Sequence, residues 1–274
     1  SLIARRDRYA LPVNVFLCRS CGTLWQNPRM TEASLAMFYA EDYRPIYVGD
    51  PKPSEQFFAD QVKQGRRIFD FVKSSFDDVS HPVVFDVGCG SGGALVPFLE
   101  AGWKGFGCDL GSDYLQKGRE KGLALEQGEV DVLAKYGKAD LVILSHVLEH
   151  LPNLGKSLEN IAGVLTDRGF VYVELPGIFQ MHRTYGDFLL FLQNAHLYHF
   201  TLKTLSSVMV GVGFSCIKGD EVIHALFQKT GKFSMAPTSD QYWKILRYLA
   251  FAECYHFFRR FTLLRRAWRW IRGV

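Results

Sequence analysis

The chain has 274 residues, is 48% hydrophobic and 22% charged, and carries a formal net charge of +4. That suits a folded globular protein of one large domain with appendages, and there is no low-complexity segment or internal repeat. Six scattered cysteines, of which only Cys18 and Cys21 are close, do not read as a disulfide framework. No secretory leader is visible, and no run of about 18 apolar residues could span a bilayer. The expectation is a protein of a reducing, cytoplasmic compartment.

In chain order, residues 1–50 read as an irregular N-terminal segment with one CxxC and several tyrosines, and residues 50–54 (DPKPS) as a linker. Apolar residues then recur at helical spacing from Phe57 to Phe76. Alternation follows: strands at Pro82–Val87, Gly105–Asp109, Leu123–Gln127, Ala139–Ser145 and Gly169–Leu175, with helices at Gly93–Glu100, Asp113–Lys121 and Leu154–Leu165, the last with Asn153 as N-cap. After an interruption at Pro176–Phe200, a helix over Thr201–Phe214 leads to two final strands at Ser215–Asp220 and His224–Gln228, expected as an antiparallel pair. Strands alternating with helices predict a doubly wound, mostly parallel, seven-stranded α/β sheet with ligands at the carboxyl ends of its strands. The predicted units are residues 1–50, a ligand-binding domain over 55–230, and a tail over 238–274.

The junction VVFDVGCGSGGALVPFLEAG (Val83–Gly102) crowds Gly88, Gly90, Gly92 and Gly93 between the first strand of this sheet and its helix. Glycines there let the backbone turn sharply and leave no side chain in a ligand's way. The helix beyond offers unpaired N–H groups. Asp109 ends the next strand, 23 residues after Asp86, where a carboxylate can accept from both hydroxyls of a ribose. Gly-rich turns alone are a weak sign, and the acid at that place strengthens it.

The turn D-V-G-C-G-S-G-G differs from the GxGxxG of dinucleotide enzymes. It resembles the first motif of class I S-adenosylmethionine-dependent methyltransferases, and the resemblance extends across Val83–Gly177. F-G-C-D (Phe106–Asp109) looks like their ribose-binding motif, G-E-V-D-V-L (Gly128–Leu133) like the segment that meets the adenine, and A-D-L-V-I-L-S-H-V-L-E-H-L-P (Ala139–Pro152) like their fourth-strand motif. The resemblance implies a Rossmann-like methyltransferase fold with S-adenosyl-L-methionine as cofactor. Its binding residues would be Asp86, Gly88, Cys89, Gly90, Asp109, Leu110, Glu129, Ser145 and His146, with Asp131 close to Glu129.

Methyl transfer from a sulfonium is an in-line displacement that the enzyme accelerates mainly by alignment. An oxygen acceptor, or a carbon acidified by a carbonyl, also needs its proton removed, a task for histidine. The candidates are His146, His150, His182, His196, His199 and His224, with His199 and His196 foremost and His150 and Glu149 beside them. S-H-V-L-E-H (Ser145–His150) is similar to the E-V-x-E-H stretch that supplies metal ligands in ubiquinone-type and small-RNA 2′-O-methyltransferases. By that likeness His146, Glu149, His150 and His199 would hold zinc or another divalent transition metal in preference to magnesium, three of them being imidazoles. The alternative is that V-L-E-H simply starts a helix, with Glu149 exposed or capping.

F-L-C-R-S-C-G-T-L-W-Q-N-P-R-M-T (Phe16–Thr31) resembles the second knuckle of the zinc-ribbon region preceding sugar methyltransferases of polysaccharide and deoxysugar pathways. A ribbon needs two knuckles for four ligands. Cys18 and Cys21 are thus zinc ligands if a CxxC precedes Ser1, and otherwise ordinary thiols. In those relatives a tyrosine-rich segment folds over the cofactor, which makes Tyr39, Tyr43 and Tyr47 candidates for the site; the alternative is plain core and surface aromatics. From Asp240 onward eight basic residues face two acidic ones, so the tail carries +6 and the rest −2. Drawn as one helix, seven of those eight basic residues fall within an arc of about 140°. The opposite face holds Ile245, Leu246, Leu249, Phe257, Leu263, Leu264, Trp268 and Ile271. That suits a helix lying on the inner face of a membrane or one packed on its own domain or a partner subunit; nucleic acid fits less well. The expected acceptor is a sugar, on a nucleotide or a lipid-linked glycan, in surface polysaccharide biosynthesis. The alternatives are a quinone-like or other membrane-soluble molecule, or a cofactor-binding scaffold without catalysis. Oligomeric state is not fixed by the sequence.

Overall fold

The largely apolar run Val83–Val87 is too short for a helix and rich in β-branched residues, and it forms an interior strand of the predicted sheet. The computed structural model describes residues 1–38, 53–234 and 240–271, the side chains at 32, 33, 36 and 258–271 excepted. Its elements are strands β1 (Leu2–Arg6), β2 (Pro12–Leu17) and β3 (Leu24–Gln26), helices α1 (Glu32–Met37) and α2 (Glu55–Val72), then β4 (Val83–Val87), α3 (Val96–Glu100), β5 (Lys104–Asp109), α4 (Ser112–Glu120), β6 (Leu125–Gln127), β7 (Ala139–Ser145), α5 (Leu154–Val164) and β8 (Leu165–Glu174). The chain continues through α6 (Met181–Thr184), α7 (Phe188–Phe191), β9 (Tyr198–His199), α8 (Leu202–Gly211), β10 (Phe214–Gly219), β11 (His224–Lys229) and α9 (Gln241–Ile271).

The main sheet runs β10-β11-β8-β7-β4-β5-β6, parallel except for β11, which runs antiparallel to both β8 and β10; the last two strands form the expected antiparallel pair. Period-two alternation divides its core. Val84, Leu141 and Ile143 face Ile68 of α2 and Phe98 of α3, whereas Phe85, Val142 and Leu144 face Leu158 and Ile161 of α5. A strand covered on both faces can bury every apolar residue, each contributing about 1.5–3 kcal/mol. Ser54 caps α2 by accepting from the Phe57 amide at 3.0 Å, and Asn153 caps α5 as predicted, accepting from the Lys156 amide at 3.2 Å.

The N-terminal segment corrects the expectation of an irregular piece. It forms an antiparallel sheet in the order β1-β2-β3-β9, so its last strand comes from the far end of the Pro176–Phe200 interruption. Alternation in β2 puts Val13, Val15 and Leu17 into a third core. That core is completed by Met181, Phe191 and Leu192 of the interruption and by Ile245 and Leu249 of α9. The interruption thus packs on the small sheet and supplies its last strand. The first turns of α9 likewise use their apolar stripe on the protein itself: Ser1 Oγ lies 2.8 Å from Tyr242 Oη, and the His182 amide donates to Tyr248 Oη at 3.3 Å. No helix among the described residues is long and apolar enough to cross a membrane.

Candidate functional site

At the carboxyl end of β4 the backbone turns through left-handed conformations at Gly88 (φ 71°) and Gly90 (φ 56°). L-side chains rarely adopt these values, which is why glycine stands there. Room is short as well: a Cβ at Gly88 would lie 2.5 Å from Val147 Cγ2. The Gly90 amide donates to Asp109 Oδ2 at 2.8 Å, and the Gly111 amide donates to Oδ1 at 2.7 Å. Two main-chain amides from neighbouring strand ends therefore fix the carboxylate at the mouth of the turn. Asp86, one residue from the end of β4, is 4% exposed. Burial, with the charge of Asp109 next, pushes its carboxyl up to about 8.

The remaining predicted donor-site residues divide. Leu110 is 58% exposed beside Asp109. Glu129 is exposed and precedes the 3-10 helix Val130–Tyr136, and the Gly128 amide ties that segment to the Asp109 carbonyl at 3.0 Å. Cys89 lies within the turn itself. Its thiol is buried in the core, its amide donates to the Cys108 carbonyl at 3.0 Å, and its carbonyl accepts from Gln61 Nε2 at 2.9 Å. With side chain and both backbone groups engaged, Cys89 shapes the turn. Tyr39, Tyr43 and Tyr47 lie outside the described residues.

One face of α2 supplies residues that the sequence reading missed. Gln61 Oε1 accepts from Ser91 Oγ at 2.7 Å, Gln64 Nε2 donates to Ser145 Oγ at 2.7 Å, and Arg67 pairs with Glu174 at 3.2 Å. Spacing of three along a helix puts all three on one side, where they reach the ends of β4, β7 and β8. Glu174 is 7% exposed and also lies 3.7 Å from His224 Nε2. The sign available was two glutamines and an arginine interleaved with the apolar stripe of an amphipathic helix.

Beyond β7, His146 takes a left-handed backbone (φ 55°), which histidine adopts more often than most residues, and its amide donates to the Glu174 carbonyl at 2.8 Å. Its half-exposed ring points Nδ1 at Glu149 Oε1 across 3.5 Å. Glu149 does not sit exposed on a helix. It lies in a 3-10 turn, is 1% exposed, and neither of its carboxylate oxygens has a hydrogen-bond partner. His150 Nε2 and His196 Nε2 each stand 3.9 Å from its Oε1. Burial raises the Glu149 carboxyl, and the surrounding imidazoles outweigh that and bring it below the usual carboxylate range. Burial lowers His150 and, far more, His196. His146 ends above the usual imidazole value because the Glu149 carboxylate offsets its burial.

His199, expected as the base, is corrected by this geometry. It pairs within the small sheet, is 2% exposed with its ring 4.9 Å from Phe191, and is pushed down to about 4 by burial. His196 replaces it in the expected ligand set. Glu149, His150 and His196 are the one group of three metal-capable side chains gathered among the described residues. His182 Nδ1 lies 2.6 Å from Tyr248 Oη of α9. Cys18 and Cys21 have no third ligand beside them among the described residues; their thiols sit against Ser20 and Thr23 hydroxyls at 3.1 and 3.4 Å. Burial alone would raise Cys18, but hydrogen bonds from Ser20 and Cys21 bring it to about 7.

A family model described as a methyltransferase domain matches residues 56–218. The chain belongs to that methyltransferase family. Comparison with curated proteins gave no match. Among solved structures, this methyltransferase resembles magnesium protoporphyrin IX methyltransferase from Synechocystis with bound S-adenosylhomocysteine, at 17% identity and a TM-score of 0.50 over 73% of this chain and 100% of that one. It also resembles 1,6-didemethyltoxoflavin-N1-methyltransferase from Burkholderia thailandensis, solved with 1,6-didemethyltoxoflavin and S-adenosylhomocysteine, at 16% identity and a TM-score of 0.52 over 80% and 96%. At such identities the likeness bears on fold: the methyltransferase retains the Rossmann-like sheet and adds to it the β1-β2-β3-β9 sheet and α9.

Proposed function

We propose that this methyltransferase takes its methyl group from S-adenosylmethionine and delivers it to a sugar, on a nucleotide or a lipid-linked glycan, in surface polysaccharide or related biosynthesis. The observation that carries the donor is Asp109, its carboxylate held by the Gly90 and Gly111 amides at the mouth of a left-handed glycine turn. When bound, the donor supplies an electrophilic methyl carbon on a sulfonium. Gly88 and Gly90 bring bare main chain close to it, Asp109 accepts from the ribose hydroxyls, and Leu110 and Glu129 flank the adenine. Asp86 faces the amino group of the methionine moiety, where an adjacent cation favours its ionised form.

A polar acceptor wall supports the sugar. Ser145, His146, Glu174, Arg67 and His224 gather at the ends of β7, β8 and β11, a lining that suits a hydroxyl-rich molecule better than an apolar quinone. The resemblance of Phe16–Thr31 to sugar methyltransferases points the same way. His146, half exposed with Glu149 behind it, is placed to receive the acceptor proton. Calorimetry with S-adenosylhomocysteine tests the donor, and transfer of labelled methyl into a panel of nucleotide sugars and membrane extracts tests the acceptor. Absence of binding heat on folded protein overturns the donor reading; label entering only quinone-like lipids overturns the sugar.

A lipid-linked acceptor is favoured over a free one by exposed Trp243, Phe251 and Phe257 on α9, near exposed Lys244 and Arg247. Flotation with anionic liposomes, comparing the native chain with Trp243→Ser/Phe251→Ser/Phe257→Ser, reads this directly. Equal recovery of the two removes the membrane.

A further inference from the structure

We propose that Glu149, His150 and His196 bind one divalent transition-metal ion, zinc foremost, which staples the segment carrying β9 to the end of β7. The proposal goes beyond methyl transfer and stands whether or not the donor reading does. Three observations carry it.

The first is the carboxylate. Both Glu149 oxygens are buried without a hydrogen-bond partner, and an anion removed from water needs a compensating cation or donors. No lysine or arginine pairs with it among the described residues; its close neighbours are imidazoles. The second is the direction of the His150 ring. His150 Nδ1 lies 2.9 Å from the Ala195 carbonyl, which can only accept. Nδ1 therefore carries the proton and Nε2 presents its lone pair toward Glu149. This is the outer-shell arrangement that orients a metal-binding imidazole. The third is spacing. One atom each from Glu149, His150 and His196 lie within 4.8 Å of one another. Ligand atoms on a tetrahedral zinc stand about 3.3–3.5 Å apart, so side-chain shifts of under ~1 Å close the set.

Two imidazoles and one carboxylate suit zinc, manganese, iron or cobalt and disfavour magnesium or calcium. Three protein ligands leave a fourth position for water or an oxygen of the acceptor. His196 follows α7 in the inserted segment, and the Leu197 amide donates to the Glu149 carbonyl at 2.8 Å. The ion would thus join two pieces of chain already tied through the backbone.

The test uses the full chain stripped with chelator. Titration with cobalt(II) should give visible d–d bands saturating at one equivalent, and zinc should displace them and raise the melting temperature. Glu149→Gln and His196→Gln should each lose the bands by at least tenfold in affinity, whereas Cys18→Ser/Cys21→Ser should keep them. If a glutamine variant fails to fold, the stripped native chain still decides, since its zinc-dependent melting shift needs no substitution. No bands and no shift in the native chain overturn the proposal, as do bands that vanish in the cysteine variant or persist in both glutamine variants. S-adenosylhomocysteine calorimetry on the stripped chain separates failure here from failure of the donor reading.

Discussion

The two halves of the sheet's carboxyl edge are made of different materials. The β4–β5 half is main chain: left-handed glycines, two amides, and Asp109 held between them, all drawn from residues 86–111. The β7–β8 half is side chain: Gln64, Arg67, Ser145, His146, Glu149, Glu174, His196 and His224, drawn from five separate stretches. Main-chain sites are encoded locally, because glycine and a strand end suffice to build them. Side-chain sites exist only after packing has gathered their members, and they hold the buried charges. The first half should therefore fail through geometry, the second through chemistry.

The largest effect should come from the side-chain half. His146→Ala is expected to lower kcat by on the order of 10²–10⁴-fold, the usual share of a positioned acid–base group, with S-adenosylhomocysteine affinity within about threefold. Steady-state kinetics beside calorimetry reads both. Asp109→Ala should do the reverse, weakening donor binding by on the order of 100-fold, since charge-assisted hydrogen bonds contribute about 1.5–3 kcal/mol each. Gly88→Val should cost about 2–3 kcal/mol of folding stability, from the left-handed backbone and the collision with Val147, measurable by urea unfolding.

Asp86 gives a pH signature. Its carboxyl stands near 8 in the folded chain, above its unfolded value, so the folded state holds the extra proton between about pH 4 and pH 8. Stability is therefore greatest at the acid end of that window and falls as pH rises toward 8. Binding a cationic donor should expel this proton, so affinity should strengthen up to ~10-fold per pH unit below 8 and level off above it. Calorimetry in buffers of different ionisation enthalpy counts the proton, and Asp86→Asn should abolish the dependence. The smallest effect belongs to His199→Phe: buried against Phe191, this position should tolerate an apolar ring with kcat changed by under about threefold. A loss as deep as that of His146→Ala would restore His199 as the base and redraw the acceptor half.

The main sheet was legible in its order of elements because each strand and helix announces itself within about ten residues, through period-two or helical spacing. Ala139–Ser145 falls on its predicted bounds, and Asn153 caps where a capping residue was expected. The apolar alternation of Pro12–Leu17 was equally local, and so are its partners β1 and β3, yet nothing nearby names the strand that completes the small sheet, since β9, which pairs with β3, lies some 170 residues further on. The same distance hid the choice between His196 and His199. Both sit in H-L-Y-H-F, and only the pairing of β9 with β3 turns His199 into the small core and leaves His196 beside Glu149.

What the sequence by itself determined is the glycine turn, the aspartate that closes it, and the alternation that lays out seven strands, because these depend on backbone conformation and near-neighbour patterning. What only the tertiary structure decided is which histidines surround Glu149, which face of α2 reaches the strand ends, and what the first turns of α9 pack against. Those depend on contacts between residues far apart in the chain, and a burial pattern read along the sequence does not say which distant surface will cover it.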